Sequence, residues 1–273
     1  MLAPRHVIFT ALEDVLLDPR TGLFGQAEAG LEALAECRIP LVLLSSRTRA
    51  EVEPVRRKMG HGHPFVTESG GGIFVPDGYF NLRIPGGERR GRYLCVPLGR
   101  PYKEVIEALD DIAEECEAGV AGFHHMSAKE IAENTGLRPR EAELARDREF
   151  DEPFFFTSAD QPAIARFVAA AERRGFTAKP GSTFWRLSAG SDQARAVTTL
   201  TKLFREATRI KLRAVGIASA SADASWLRAV DQPILLASPA RTAAKVTAEN
   251  RVAITQEASI SWSESILNII GEY

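Results

Sequence analysis

Between residue 6 and about residue 78, short apolar runs alternate with amphipathic stretches. Residues 6–10 (HVIFT) read as a buried strand, and residues 26–37 carry apolar positions at helical spacing. Residues 39–44 (IPLVLL) form a second apolar run, short enough for a parallel strand buried on both faces. The next helical pattern covers residues 49–59, where Pro54 is expected to bend the helix or delay its start. A third strand at 65–67 runs into Glu68-Ser69-Gly70-Gly71-Gly72, a turn rich in glycine. Strand, helix, strand, helix at this spacing predicts βαβ units on a parallel sheet.

The texture changes from about residue 78. Residues 84–92 (IPGGERRGR) are polar and broken by Pro and Gly, which reads as a linker or an exposed hairpin. Strands are expected at 93–98, 154–157, 176–179 and 184–187, and helices at 102–117, 127–134, 140–150 and 161–174. Ser127 with Glu130 three residues on forms a capping box. Alternation returns near Gly190, with helices at 192–207, 222–230 and 263–270 and strands at 212–217, 233–236 and 252–255. The expected architecture is α/β: a doubly wound parallel-sheet core from residues 1–82 and 190–273, interrupted by an inserted α+β cap at 83–189. No internal repeat or low-complexity segment appears.

Composition narrows the function classes. The 273 residues are 45% apolar and 26% charged, ordinary for a globular protein. Thirty-four basic against 36 acidic residues leave a net charge of −2, which argues against a nucleic-acid or anionic-membrane partner. Arginines between 138 and 148 alternate with acids, as on a solvated helix face. No apolar run is long enough to span a bilayer and no signal-peptide pattern opens the chain, so a cytoplasmic location is expected. Cys37, Cys95 and Cys116 have no metal-ligand spacing. The pairs His61/His63 and His124/His125 have no acidic or cysteine partners at ligand spacing, so no metal site is expected there.

Ligands of open parallel sheets sit outside the carboxyl ends of the strands. The segments to inspect are therefore 10–15, 45–48, 68–71 and 217–223. The residues there, with others along the chain, resemble the mannosyl-3-phosphoglycerate phosphatases, a cap-bearing branch of the haloacid dehalogenase superfamily. The likeness is carried by V-I-F-T-x-L-x-x-x-L-L-D at 7–18, S-S-R-T-R-A-E at 45–51 and T-E-S-G-G at 67–71. Further matches are A-x-x-T-G-L at 132–137, R-E-F-D-E-P at 148–153, G-S-D-x-x-x-A-V at 190–197 and A-V-D ending at Asp231.

The resemblance implies a phosphatase that works through an aspartyl-phosphate, yet the residues it needs are replaced. The nucleophilic aspartate falls on Ala11, and the acid/base aspartate falls on Glu13. The charge-neutralising lysine falls on Gln193, and of the magnesium-binding acids after the later strand Ser219 replaces one while Asp223 survives. These are vestigial positions, and no catalytic set is intact. Ser45, Ser46 and Arg47 fit the phosphate cradle. Glu68, Ser69, Gly70, Gly71, Arg148, Asp151 and Glu152 are the substrate-binding candidates the resemblance supplies. Magnesium needs carboxylate and phosphate oxygens in octahedral geometry, so no metal and no cofactor is expected. Losing nucleophile, metal and lysine would raise the barrier by on the order of 8 kcal/mol.

Three readings follow. The first is a pseudophosphatase that keeps the fold and binds a phosphorylated sugar or glycerate ester. The second is an active magnesium-dependent phosphatase on mannosyl-3-phosphoglycerate or a related ester, with Glu13 or Asp14 taking over as nucleophile. The third is an interaction or scaffold protein with an empty pocket and a protein partner.

Overall fold

The computed structural model describes residues 5–18, 22–181, 183–219, 223–236, 257–258 and 261–271. The chain first lays down β1 (His6–Ala11), β2 (Leu41–Leu44) and β3 (Phe65–Thr67), joined through α1 (Glu28–Glu36) and α2 (Arg49–Lys58). These strands pair in parallel and are buried on both faces, as their unbroken apolar runs require. Antiparallel β4 (Gly72–Pro76), β5 (Glu88–Arg90) and β6 (Tyr93–Pro97) extend the same sheet.

The chain then builds a separate four-stranded sheet from β7 (Gly119–Gly122), β8 (Asp151–Ser158), β9 (Thr177–Pro180) and β10 (Trp185–Ser188). Its helices are α3 (Tyr102–Glu115), α4 (Ala128–Thr135), α5 (Pro139–Arg146) and α6 (Gln161–Arg173). It returns through α7 (Gln193–Thr208) to β11 (Arg213–Ser219), β12 (Gln232–Leu236), β13 (Glu257–Ala258) and α8 (Trp262–Gly271). The order across the large sheet is β13-β12-β11-β1-β2-β3-β4-β6-β5.

Two apolar layers sandwich the large sheet. On one face Ile8, Leu43 and Phe65 pack with Leu34 of α1, Val52 of α2 and Ile266 of α8. On the other Val7, Phe9, Val42 and Val66 pack with Val197, Leu200 and Phe204 of α7. Each fully buried Phe or Leu contributes roughly 1.5–3 kcal/mol by leaving water. In the smaller sheet Phe154 packs against Val105, Leu109 and Ile112 of α3 and Phe167 of α6.

Several elements differ from expectation for local reasons. Pro54 neither delays nor ends α2, because Thr48 and Glu51 close a capping box that fixes its start. The helix expected at 140–150 is α5, ending at Arg146; residues 151–153 instead open β8, whose first four residues are all buried. The large sheet continues through Pro97, past the boundary near residue 82 that the change in texture suggested. Of the helix expected at 222–230, residues 225–229 form one 3₁₀ turn. The strand expected at 252–255 lies outside the described residues. The Ser127/Glu130 capping box forms as expected and starts α4. Among the described residues, no helix is long and apolar enough to cross a membrane.

Candidate active-site cleft

Strands β1, β2 and β11 all end on one side of the sheet, and the cleft opens there, below the smaller sheet. Its volume is about 610 Å³. After β1 the chain makes a single wide turn over residues 12–16, which keeps Leu12 buried and lets Glu13 reach across to the end of β2. The Ser45 hydroxyl donates to Glu13 Oε1 at 2.5 Å, and the Ser46 N–H approaches Oε2 at 3.4 Å. Arg47 Nε stands 3.4 Å from Oε1, and the Arg47 N–H donates to Ser45 Oγ at 3.0 Å. Burial raises the Glu13 carboxyl above its ordinary range, against the Ser45 hydrogen bond and the Arg47 charge, which pull it down.

The opposite wall comes from α7. Asp192 caps that helix through the N–H groups of Ala194 and Arg195, at 2.8 and 3.1 Å, and Gln193 follows at the rim. Asp223 accepts the Ser225 N–H at 3.0 Å. Burial acts to raise Asp223, but Ser225 and the charges of Lys179 and Arg228 hold it below its ordinary value. Lys179 on β9, Arg186 on β10 and Arg228 give the cleft three cations. Ser191 Oγ, buried and without a hydrogen-bond partner among the described residues, belongs to the same wall.

The structure therefore gathers Ala11, Glu13, Ser46, Ser69, Gln193 and Asp223 around one space. Ser219 is buried at the end of β11 beneath it. Other sequence candidates lie elsewhere. Glu68, Arg148, Asp151 and Glu152 are buried and do not line the cleft. Glu68 instead receives the backbone N–H groups of Glu149 at 3.1 Å, Phe150 at 2.7 Å and Asp151 at 3.0 Å. Arg148 Nε donates to Asp151 Oδ1 at 2.5 Å, and Arg186 Nη1 donates to the Ser69 hydroxyl at 2.8 Å. These bonds clasp the turn after β3 to the smaller sheet. Burial and Asp151 push the Glu68 carboxyl above its ordinary range, against the pull of Arg148 and the backbone donors. Burial disfavours the Arg148 charge, yet Asp151 and Glu68 keep it protonated, above the usual range.

Gly70 and Gly71 let the same turn pack closely, Gly70 against the start of α7 and Gly71 against Phe150. Gly70 has φ +97° and passes so close to Asp192 that a Cβ would lie 2.3 Å from its carbonyl carbon. At Gly71 a Cβ would lie 2.4 Å from the Cβ of Phe150.

Comparison with known proteins decides the lineage. A glucosyl-3-phosphoglycerate/mannosyl-3-phosphoglycerate phosphatase of Persephonella marina is 34% identical over 97% of both chains. The protein of the same name from Methanococcoides burtonii is 32% identical over 86% of both. The chain belongs to the mannosyl-3-phosphoglycerate phosphatase family. A solved haloacid dehalogenase-like hydrolase from Bacteroides thetaiotaomicron, 15% identical, superposes with a TM-score of 0.53 over 84% of this chain and 94% of its own. The fold is thus the haloacid-dehalogenase-like α/β core with a cap. No general family model matches the chain.

Sequence reasoning missed Lys179, Arg186, Arg228 and Ser191 in this family member. Both strands β9 and β10 were visible, but nothing in their pattern says which side chains overhang the cleft of the other sheet. It also placed no acid beside the histidine pair: Asp110, on α3, stands 3.2 Å from the Nε2 atoms of both His124 and His125.

Proposed function

We propose that this protein binds a phosphorylated sugar or glycerate ester in the cleft and does not turn it over by the aspartyl-phosphate route of its family. One observation carries the reading. A methyl group stands at residue 11, where the family resemblance calls for a nucleophile, and the carboxylate two residues on already occupies Ser45 and Ser46 and faces Arg47. A methyl group cannot attack phosphorus.

The residues present fit a magnesium ion poorly. Two carboxylates that line the cleft, Glu13 and Asp223, are engaged by hydroxyl, N–H and cationic groups, and position 219 offers a buried hydroxyl rather than a carboxylate. A hard cation needs several charged oxygens free at once, which these groups do not offer. What favours a phosphate ester is the cation set of the cleft: Lys179 and Arg186 from the cap and Arg228 from the core face the same space, which Ser191 also lines.

A second reading, a magnesium-dependent phosphatase on mannosyl-3-phosphoglycerate or a related ester, draws on the names of the relatives and on the Glu13 carboxylate at the cleft floor. Two measurements separate them. Hydrolysis of an aryl phosphate and of mannosyl-3-phosphoglycerate with excess magnesium should stay at the uncatalysed rate; turnover that is lost in Glu13→Gln establishes the second reading. Calorimetric titration with 3-phosphoglycerate and its glycosyl esters should show saturable binding. No binding by any of them leaves a scaffold with an empty pocket and sinks the proposal.

A further inference from the structure

We propose that Asp110, His124 and His125 form a binding site for a divalent ion of the zinc class, on the cap and apart from the cleft. Among the described residues, this is the one place where three His, Cys, Asp or Glu ligand atoms gather closely enough to share an ion. None of the three lines the cleft.

The geometry matches the ion. A tetrahedral zinc-type centre with ligand bonds of about 2.0–2.1 Å sets its ligand atoms about 3.3–3.4 Å apart. Asp110 Oδ1 stands 3.2 Å from His124 Nε2 and 3.2 Å from His125 Nε2, so two edges of such a tetrahedron are in place. The imidazole rings lie 3.7 Å apart at their centroids, both turned to the same carboxylate oxygen. Imidazole with carboxylate is a donor set suited to zinc, nickel or cobalt rather than to magnesium or calcium.

A supporting layer backs the histidine that would carry most of the bond. His124 Nδ1 lies 2.8 Å from Glu152 Oε1. Glu152 is itself wholly buried, and it is held by the Tyr102 hydroxyl at 2.8 Å and the His124 N–H at 2.9 Å. A carboxylate behind the distal ring nitrogen fixes the ring and its tautomer, and such partners typically raise metal affinity about 10–100-fold. Gly122 makes room for this contact, since a Cβ there would lie 2.5 Å from Glu152 Oε1 and 2.8 Å from His124 Nδ1.

His125 is the adjustable ligand. The Gly122 N–H points at its Nδ1 from 3.2 Å, so in the metal-free form its proton sits on Nε2, toward Asp110. Binding moves that proton to Nδ1 and gives up the Gly122 contact. The side chains of His125 and Asp110 are 41% and 50% exposed, which leaves an ion an open path and a solvent-facing fourth position. An ion there ties α3 to the turn between β7 and α4.

The test uses the full chain with Cys37→Ser, which removes the one exposed thiol among the free cysteines as a competing ligand. Zn²⁺ is titrated calorimetrically, Co²⁺ is followed by the visible absorption of tetrahedral cobalt, and melting is recorded with and without Zn²⁺. One ion per chain is expected, with a melting temperature that rises with ion concentration. His125→Ala and Asp110→Asn, both on exposed positions, should each weaken binding at least tenfold and abolish the rise in melting temperature with Zn²⁺. Failure of the Cys37→Ser protein to take up Zn²⁺, or uptake that survives either substitution, overturns the assignment. Neither outcome bears on turnover or ester binding in the cleft.

Discussion

Two carboxylates hold this molecule together in opposite ways. Glu13, at the mouth of the cleft, meets a hydroxyl at 2.5 Å, one stretched N–H and one arginine, and its side chain is 28% exposed. Glu68, at the joint between the sheets, meets three successive backbone N–H groups, has no exposed side-chain surface, and lies beside the Arg148–Asp151 pair. Both are carboxyl groups cradled by donors. Solvent access makes the difference: an anion from outside can compete for the donors of Glu13, whereas those of Glu68 are sealed. The first arrangement is exchangeable and the second is architectural.

Removing Arg148 should have the largest effect. Arg148→Ala leaves buried Glu68 without its cation and Asp151 with Arg186 alone, at 3.3 Å, and losing one partner of a buried pair costs about 3–5 kcal/mol. Urea unfolding should show that loss; a change below 1 kcal/mol would break the contrast by making the clasp ornamental.

A pH scan sharpens the contrast with a buried group that must stay neutral. His61 Nε2 faces the Leu41 carbonyl at 2.7 Å, and its Nδ1 accepts from Arg56 at 3.0 Å. Burial, with the Arg56 charge, pushes its pKa from 6.5 down to about 3. The unfolded chain therefore takes up the proton first. Stability is full above pH 6.5 and falls as pH drops through the window from 6.5 to 3, by an amount of a few kcal/mol. Denaturant titrations across that window should show the fall, and His61→Gln should flatten it.

Glu13→Ala should then act mainly on binding. With the internal carboxylate gone, inorganic phosphate measured by calorimetry should bind about tenfold more tightly, a gain of about 1.4 kcal/mol. Weaker phosphate binding in the variant would show that Glu13 does not compete for the cradle. The smallest effect belongs to the Arg89–Asp77 pair, whose side chains are 73% and 57% exposed; Arg89→Ala should change stability by about 0.5 kcal/mol or less.

Much of the core was legible because parallel strands buried on both faces announce themselves as apolar runs: residues 6–10, 41–44 and 65–67 need no context. Strand β7 was not legible, since Gly-Val-Ala-Gly has neither alternation nor bulk. Strand β4 was hidden because its glycine continues the Gly-rich turn before it. At the cleft, motif order located Ala11, Glu13, Ser46, Gln193 and Asp223 together. The charged run Arg148-Glu149-Phe150-Asp151-Glu152 was expected beside the ligand, and its burial depends on backbone donors that meet Glu68 from 81 residues or more along the chain. Asp110 and His124, 14 residues apart, become neighbours only once α3 packs on the smaller sheet.

The position of β1 has a consequence for synthesis. It sits between β2 and β11, and its register with β11 joins His6 to Arg213. While the ribosome is still making α7, β1 has one open flank, a bare apolar edge of the sort that invites pairing with another chain. Among the described residues the smaller sheet runs from Gly119 to Ser188 and borrows no strand from outside, so it can assemble during that interval. A nascent chain halted before residue 213 should therefore carry a finished insertion on an unfinished base.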